Sequence, residues 1–215
     1  YFGAMPDDQK KIINETKLTI YICEGTETEI KEWFKTINIA GIPLNKQEVA
    51  NAVYSGPFVT KAKEEFSNSQ NANIQKWSAY IKGDVLRQEY LRVALEWVCK
   101  SEADEDIEAY MSRHRHDTDI QELKTYFTSV IDWISGVFSD VESEMRGIEW
   151  GRLFEIYHNQ PYDPVEVSDK LHELYADGAV KKRAGIFEYI LGGCKEPRLL
   201  EIRIFEESTK KAVYA

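Results

Sequence analysis

Cysteine is scarce in this sequence, which contains three cysteines among 215 residues. Cys23, Cys99 and Cys194 stand far apart, and no two of them form a Cys-x-x-Cys pair. An odd number of distant cysteines predicts neither a disulfide framework nor a structural zinc site. We therefore expect buried free thiols, as is typical of proteins in a reducing compartment.

An excess of basic charge is also lacking, because 27 Lys and Arg residues stand against 37 Asp and Glu residues, a formal net charge of −10. Sequence-independent affinity for DNA comes from cations that neutralise phosphates, so the chain taken as a whole is a poor DNA-binding module. The basic clusters at residues 113–116 and 181–183 are short. Clusters of this length are typical of a solvated surface.

Long apolar runs are absent, and none approaches the roughly 18 residues that a membrane-spanning helix needs. The amino terminus does not show the charged and then apolar pattern of a signal peptide. Hydrophobic residues make up 43% and charged residues 30% of the chain, which is ordinary for a folded globular protein. These features predict a cytoplasmic protein without a membrane contact.

Familiar catalytic motifs are missing as well. The sequence contains no nucleophile elbow, phosphate-binding Gly-Lys-Ser/Thr loop, dinucleotide fingerprint or His-Glu-x-x-His motif. Aspartates and glutamates are too numerous for spacing alone to select a catalytic pair. We expect that this segment alone completes no active site and is not an enzyme.

The strongest local signals lie in residues 18–44. Apolar and polar residues alternate over 18–23, which predicts a strand with one buried face. Thr26 and Glu29 have the spacing of a capping box, so a helix should begin at Glu27. Before this stretch, Pro6 and the acids Asp7 and Asp8 lead into residues 9–17, which predict a short helix with Ile12 and Ile13 facing inward.

The rest of the chain predicts a mainly α fold, a helical bundle with a small β element. From Asp84 onward, amphipathic helical patterns continue for about a hundred residues. The helix capped by Thr118 has the widest apolar face, which predicts the spine of the bundle. Asn45 with Glu48 repeats the capping-box spacing and predicts a helix start. Asp163 precedes a first-turn proline and predicts another cap. Apolar and polar residues alternate over 199–205 and predict a second strand that could pair with the strand at 18–23.

The polar run at residues 67–73 is the best candidate for a flexible connection. We therefore divide the chain into residues 1–70, a connection at 71–83, and a helical domain at 84–215.

Residues 34–44 follow the pattern Phe34-x3-Asn38-x2-Gly41-x2-Leu44 behind the predicted strand. This pattern resembles the later part of the GmrSD-type domain of unknown function, found in bacterial modification-dependent restriction and phage-defence proteins. The resemblance implies a ParB/sulfiredoxin-like regulatory domain with nucleotide-dependent control of a nuclease. The family also carries an upstream Asp-Gly-Gln-Gln-Arg motif, which this chain lacks.

A second resemblance lies near the carboxyl terminus, in residues 185–193, 199–205 and 210–214. These residues resemble the segment that precedes an HNH nuclease in members of the same family. In those relatives a zinc knuckle and the HNH site follow. Because the chain starts at Tyr1 without a methionine and stops at Ala215 before such a site, it is expected to be an internal piece of a longer protein.

Three residues are candidates for a functional site. Asn38 either hydrogen-bonds a turn at a helix end or, as the resemblance implies, helps to line a nucleotide pocket. His114 and His116 lie close to Asp117 and Asp119, a combination that could bind a metal. The alternative for the histidines is an exposed linker in which they titrate near neutrality.

Three functional hypotheses follow. The first is a non-catalytic segment of a restriction or phage-defence DNA endonuclease that links a nucleotide-sensing domain to an HNH nuclease. This segment would hold no cofactor, whereas the parent would use a nucleoside triphosphate and a divalent metal or zinc, and would contact DNA through its nuclease domain. The second is a helical protein–protein interaction module, and the third is a small metal-dependent hydrolase built around His114 and His116.

Overall fold

The computed structural model of the protein describes residues 2–17, 20, 22, 24–37, 43–101 and 105–202. The chain divides into two compact units, Tyr1–Pro43 and Leu44–Ala215. In the described ranges both units are helical, with 11 α-helices and no β-strand. The predicted mainly α class is therefore confirmed. No helix among these ranges combines the length and the apolarity that crossing a bilayer requires.

The first unit contains a 3-10 turn at Phe2–Ala4, helix α1 at Asp7–Glu15 and helix α2 at Glu27–Ile37. The predicted capping box of α2 is confirmed. The Oε2 atom of Glu29 accepts hydrogen bonds from the backbone N–H and the hydroxyl of Thr26, both at 2.8 Å. In return the Glu29 N–H donates to the Thr26 hydroxyl at 3.3 Å.

Helix α1 differs from its prediction, because it buries none of its residues. Ile12 and Ile13, which we expected to face inward, are 67% and 49% exposed. The helix begins as expected after Pro6, with Asp7 and Asp8 in its first turn. The local capping signals were therefore correct, whereas the burial inferred for this short helix was wrong.

The second unit contains the remaining helices. Their bounds are α3 Lys46–Val53, α4 Pro57–Phe66, α5 Ile74–Trp77, α6 Glu89–Ser101, α7 Ile107–His114, α8 Gln121–Val137, α9 Trp150–Tyr157, α10 Pro164–Ala176 and α11 Ala184–Leu191. Two 3-10 turns, Ser143–Met145 and Pro197–Leu200, complete it. Helix α6 packs against both α8 and α9, and these three form the centre of the bundle.

Helix α8 is the spine that its apolar pattern predicted. Its core-facing side chains are fully buried or nearly so, namely Leu123, Phe127, Val130, Ile131 and Ile134. Because α8 contacts α6, α9 and α10, its wide apolar face is covered by several neighbours. The predicted cap at Thr118 is wrong, since the turn before α8 is closed by Asp119, whose carboxylate accepts the Gln121 N–H at 3.0 Å.

Two other predicted caps are confirmed. Asn45 and Glu48 form a reciprocal capping box at the start of α3, and the Asp163 side chain accepts the Val165 N–H at the start of α10. The side-chain amide of Asn45 also donates to the carbonyl of Arg87 at 2.7 Å. This cap therefore also ties α3 to the segment that leads into α6.

The predicted β element is not supported by the described residues. Ile20 and Ile22 belong to no strand, and the other apolar positions of 18–23 lie outside the described ranges. Near the carboxyl terminus, Pro197 favours a helical first turn, and Leu199 and Leu200 belong to the 3-10 turn that follows it. The carbonyl of Leu200 accepts the N–H groups of residues 181 and 182 at 3.1 and 3.2 Å. Residues 203–205 lie outside the described ranges.

The boundary between the two compact units lies at residues 43 and 44, whereas the sequence indicated a connection at 71–83. The physical reason is an aromatic cluster that spans the predicted connection. Phe66 stacks on Trp77 with ring centroids 5.6 Å apart, and both rings meet Phe127 edge to face. The polar run between Phe66 and Trp77 forms hydrogen-bonded turns, in which the Asn71 amide donates to the Glu65 carbonyl at 2.8 Å.

Candidate functional site

Of the three residues selected from the sequence, the structure describes His114 and His116. Asn38 lies outside the described residues, together with Gly41 of the same motif. His116 is exposed in the turn after α7. His114 ends α7 and is only 9% exposed, so the exposed linker expected for both histidines is wrong for this one.

His114 is held by an aromatic pocket and one carboxylate. Its ring centroid lies 4.2 Å from that of Tyr110 and 5.7 Å from that of Phe58. Its Nδ1 atom lies 2.6 Å from a carboxylate oxygen of Asp117, while its Nε2 atom is buried without a hydrogen-bond partner. Because neither ring nitrogen is accessible for a ligand, this geometry favours a packing role for His114.

In the part of the chain that the structure describes, no group of three or more His, Cys, Asp or Glu side chains is arranged to hold a metal ion. Asp119, the second acid near the histidines, accepts the Gln121 N–H instead. The metal hypothesis was based on spacing alone. The ring pairing between Tyr110 and His114, four residues apart on one helix, is a signal that would have favoured burial.

The second unit contains a cleft beside α6, with a volume of about 530 Å³. One wall is a face of α6, from Glu89 to Lys100. The opposite wall is the segment 147–152 at the start of α9, and residues 80–83 close one end. We refer to this site as the α6 cleft.

Glycines allow the walls of the α6 cleft to approach closely. Gly151 lies against Trp97, where a Cβ atom would be 2.6 Å from the indole ring. Gly147 has a φ of +84°, and its N–H donates to the Tyr80 carbonyl at 2.9 Å. A Cβ atom on Gly147 would lie 3.2 Å from the Cβ of Lys82. Lys82 is therefore positioned at the end of the cleft by backbone contacts.

The α6 cleft is lined by four cations and three carboxylates, although the whole chain carries a formal charge of −10. The cations are Lys82, Arg92, Lys100 and Arg152, and the carboxylates are Glu89, Glu96 and Glu149. Helix α6 contributes two of these cations and two of these carboxylates, on the face opposite its buried residues. The surplus is therefore one cation, and the pair between Arg152 and Glu188 offsets it.

The four cations differ in how firmly they are held. Arg152 forms a two-pronged pair with Glu188, at 3.0 and 2.7 Å, and its Nε atom lies 3.4 Å from Glu149. The hydrogen bonds to Glu188 contribute most to raising the pKa of Arg152 above its ordinary value. Arg152 is therefore committed to partners within the protein.

Arg92 and Lys100 are held more weakly. Arg92 pairs with Glu96 one turn along α6, and Lys100 lies 3.4 Å from Glu149. All four of these side chains are more than a third exposed. Exposed ion pairs of this kind contribute about 0–1 kcal/mol each, so either cation can exchange its partner at little cost. Lys82 makes no ion pair with any described residue.

A comparison of the chain with protein-family models, curated proteins and solved structures finds no match. The α6 cleft is therefore described from its own geometry. None of its charged residues was selected from the sequence, because a charged helix face is usually a solvated surface. The informative signal was the spacing of Glu89, Arg92, Glu96 and Lys100, but the opposing wall at 147–152 could be located only in the folded structure.

Proposed function

We propose that this chain is a non-catalytic segment of a bacterial restriction or phage-defence DNA endonuclease. It would link a nucleotide-sensing domain to an HNH nuclease. In this proposal the sensing domain contains the GmrSD-like pattern at residues 34–44, and the helical part of the chain that follows carries the nuclease.

The observation that supports the proposal is the position of the two resembling segments. Residues 34–43 lie in the first compact unit, and the segment that begins at Gly185 lies at the end of the second. Between them in the sequence, the helices of the second unit pack around a buried apolar core. A packed unit that lies between two functional segments in the sequence is suited to transmit a change from one to the other, provided that each state makes different contacts with it.

The proposal predicts where activity resides. The full-length parent should cleave DNA in a metal-dependent and nucleotide-dependent manner. The isolated chain 1–215 should not cleave DNA under any of these conditions. The measurement is cleavage of modified and unmodified plasmid DNA, with and without nucleoside triphosphate and divalent metal. DNA cleavage by the isolated chain, or a parent that lacks a nuclease, would contradict the proposal.

A second candidate function, a protein–protein interaction module, is favoured by a different observation. The wide face of α8 cannot serve as the binding surface, because the core covers it. The first unit instead leaves large apolar side chains exposed, among them Ile12 at 67%, Ile20 at 78% and Ile22 at 87%. Exposed apolar surface of this kind marks contact sites when it is contiguous.

The two candidates can be separated by light scattering coupled to size-exclusion chromatography. If the first unit binds a protein surface, the chain should associate with itself or with a partner, and Ile12→Gln should weaken that association. Ile156→Gln is the matched control, because Ile156 lies in the second unit and is 52% exposed. A monomer that captures no partner, with both variants behaving as wild type, would exclude the interaction module.

A further inference from the structure

The α6 cleft contains three cations that are available to a ligand. Among the residues that the structure describes, Lys82 has no ion pair, Arg92 is paired only with the half-buried Glu96, and Lys100 has one long contact with Glu149. They project from two separate segments, the 80–83 turn and helix α6, into one cavity. An anion in this cavity could therefore meet positive charge from two directions.

We propose that the α6 cleft binds a small phosphorylated molecule whose phosphate group contacts Lys82, Arg92 and Lys100. This inference goes beyond the proposed function and does not depend on it. The cleft volume of about 530 Å³ lies in the range of small-molecule sites, roughly 300–1,000 Å³. There is thus room for a phosphate together with the organic group that bears it.

Charge decides between phosphate and carboxylate ligands. A ligand carboxylate would only take the place of Glu96 or Glu149 as the partner of a cation. Its binding would also cost the translational and rotational entropy of a separate molecule. A phosphate carries up to two charges and three acceptor oxygens, and its pairing with an arginine can be bidentate. It therefore gains contacts that the resident carboxylates do not make.

The same charges argue against a nucleic-acid polymer as the ligand. A duplex or a long single strand presents many phosphates, and its binding requires an extended basic surface. Here the cations are confined to one cleft, Glu89 and Glu96 line the same wall, and the chain as a whole is acidic. A compact ligand can occupy the cleft without approaching the rest of this surface.

Isothermal titration of the chain with inorganic pyrophosphate tests the proposal. We expect saturable binding with one site per chain, and weaker binding of acetate. Lys82→Ala and Arg92→Gln should each reduce the affinity for pyrophosphate about tenfold, as expected for the loss of one charge-assisted hydrogen bond. Thermal unfolding should show that both variants remain folded, since Lys82 is exposed and the Arg92 side chain is 40% exposed.

Glu96→Gln is the sharpest variant, because it removes the carboxylate that competes for Arg92. We expect it to bind pyrophosphate more tightly than the wild type, whereas a purely structural Arg92–Glu96 pair would give no gain in affinity. Lys61→Ala is the matched control, since Lys61 is an exposed α4 lysine paired with Glu64 outside the cleft. Absence of binding, or a loss of affinity in Lys61→Ala equal to that in Lys82→Ala, would overturn the proposal.

Discussion

Replacing Phe127 with alanine is expected to lower the free energy of unfolding by about 3–5 kcal/mol, the usual cost of removing a buried phenyl ring. The ring is fully buried at the middle of α8. It stacks on Trp97 with centroids 5.2 Å apart and meets Phe66 and Trp77 edge to face at 5.1 and 5.0 Å. Because domain stabilities are typically about 5–15 kcal/mol, this change removes a large part of the total.

The measurement is chemical denaturation followed by tryptophan fluorescence. Phe127→Leu keeps most of the buried volume and should cost less, about 1.5 kcal/mol or below. Phe2→Ala is the control, because Phe2 belongs to the first unit and is about half exposed. Its effect should stay within about 0.5 kcal/mol, as for most surface substitutions.

The same experiment tests where the chain divides. If residues 44–83 and 84–200 share one core, Phe127→Ala should shift a single cooperative transition for both. If instead a domain boundary lay within 71–83, part of the signal should unfold at the wild-type midpoint. A two-step transition with one unchanged phase would therefore contradict the shared aromatic core.

Side-chain caps at several helix starts were predictable from the sequence. The caps at Thr26, Asn45 and Asp163 depend only on a side chain and the backbone two or three residues away, so spacing was sufficient to predict them. The apolar face of α8 was predictable for the same reason, since it follows from helical periodicity. Predicting these features requires no knowledge of the residues that pack against the helix.

Features that depend on distant partners are harder to predict from local sequence. The polar run at 67–73 has the composition of a linker, but Phe66 and Trp77 on either side of it meet Phe127, some 50 residues away. Similarly, the alternation at 199–205 predicted a strand, whereas Pro197 and the hydrogen bonds to the Leu200 carbonyl produce a 3-10 turn. In both cases the contacts come from residues outside the local pattern.

The α6 cleft shows why the candidate site was missed. Surface charges such as those of Arg92 and Glu96 become part of a cleft only where a second segment of the chain packs beside them. That approach depends on Gly151, which allows α9 to lie directly against Trp97. A glycine inside a helical pattern indicates such an approach, but the sequence alone does not identify the partner that it meets.

Gly185 provides the second large expected effect. It lies in the first turn of α11 and is buried against the 3-10 turn at 197–200. An added Cβ atom would overlap the carbonyl oxygen of Leu199 and lie 2.7 Å from its carbonyl carbon. Because the obstacle is backbone, Gly185→Ala must push the turn away from α11, and we expect a loss of about 1–3 kcal/mol or more in unfolding free energy.

Gly136→Ala is the matched control for this substitution. Gly136 also lies inside a helix, α8, but it is exposed and no atom would lie within 4 Å of an added Cβ. Alanine should therefore stabilise the protein there by about 0.5–1 kcal/mol, through the lower entropy of the unfolded chain. Denaturation of the two variants should give shifts of opposite sign. If both alanine variants were more stable than the wild type, helix propensity alone would account for the effect at residue 185. The close contact between α11 and the 3-10 turn would then be contradicted.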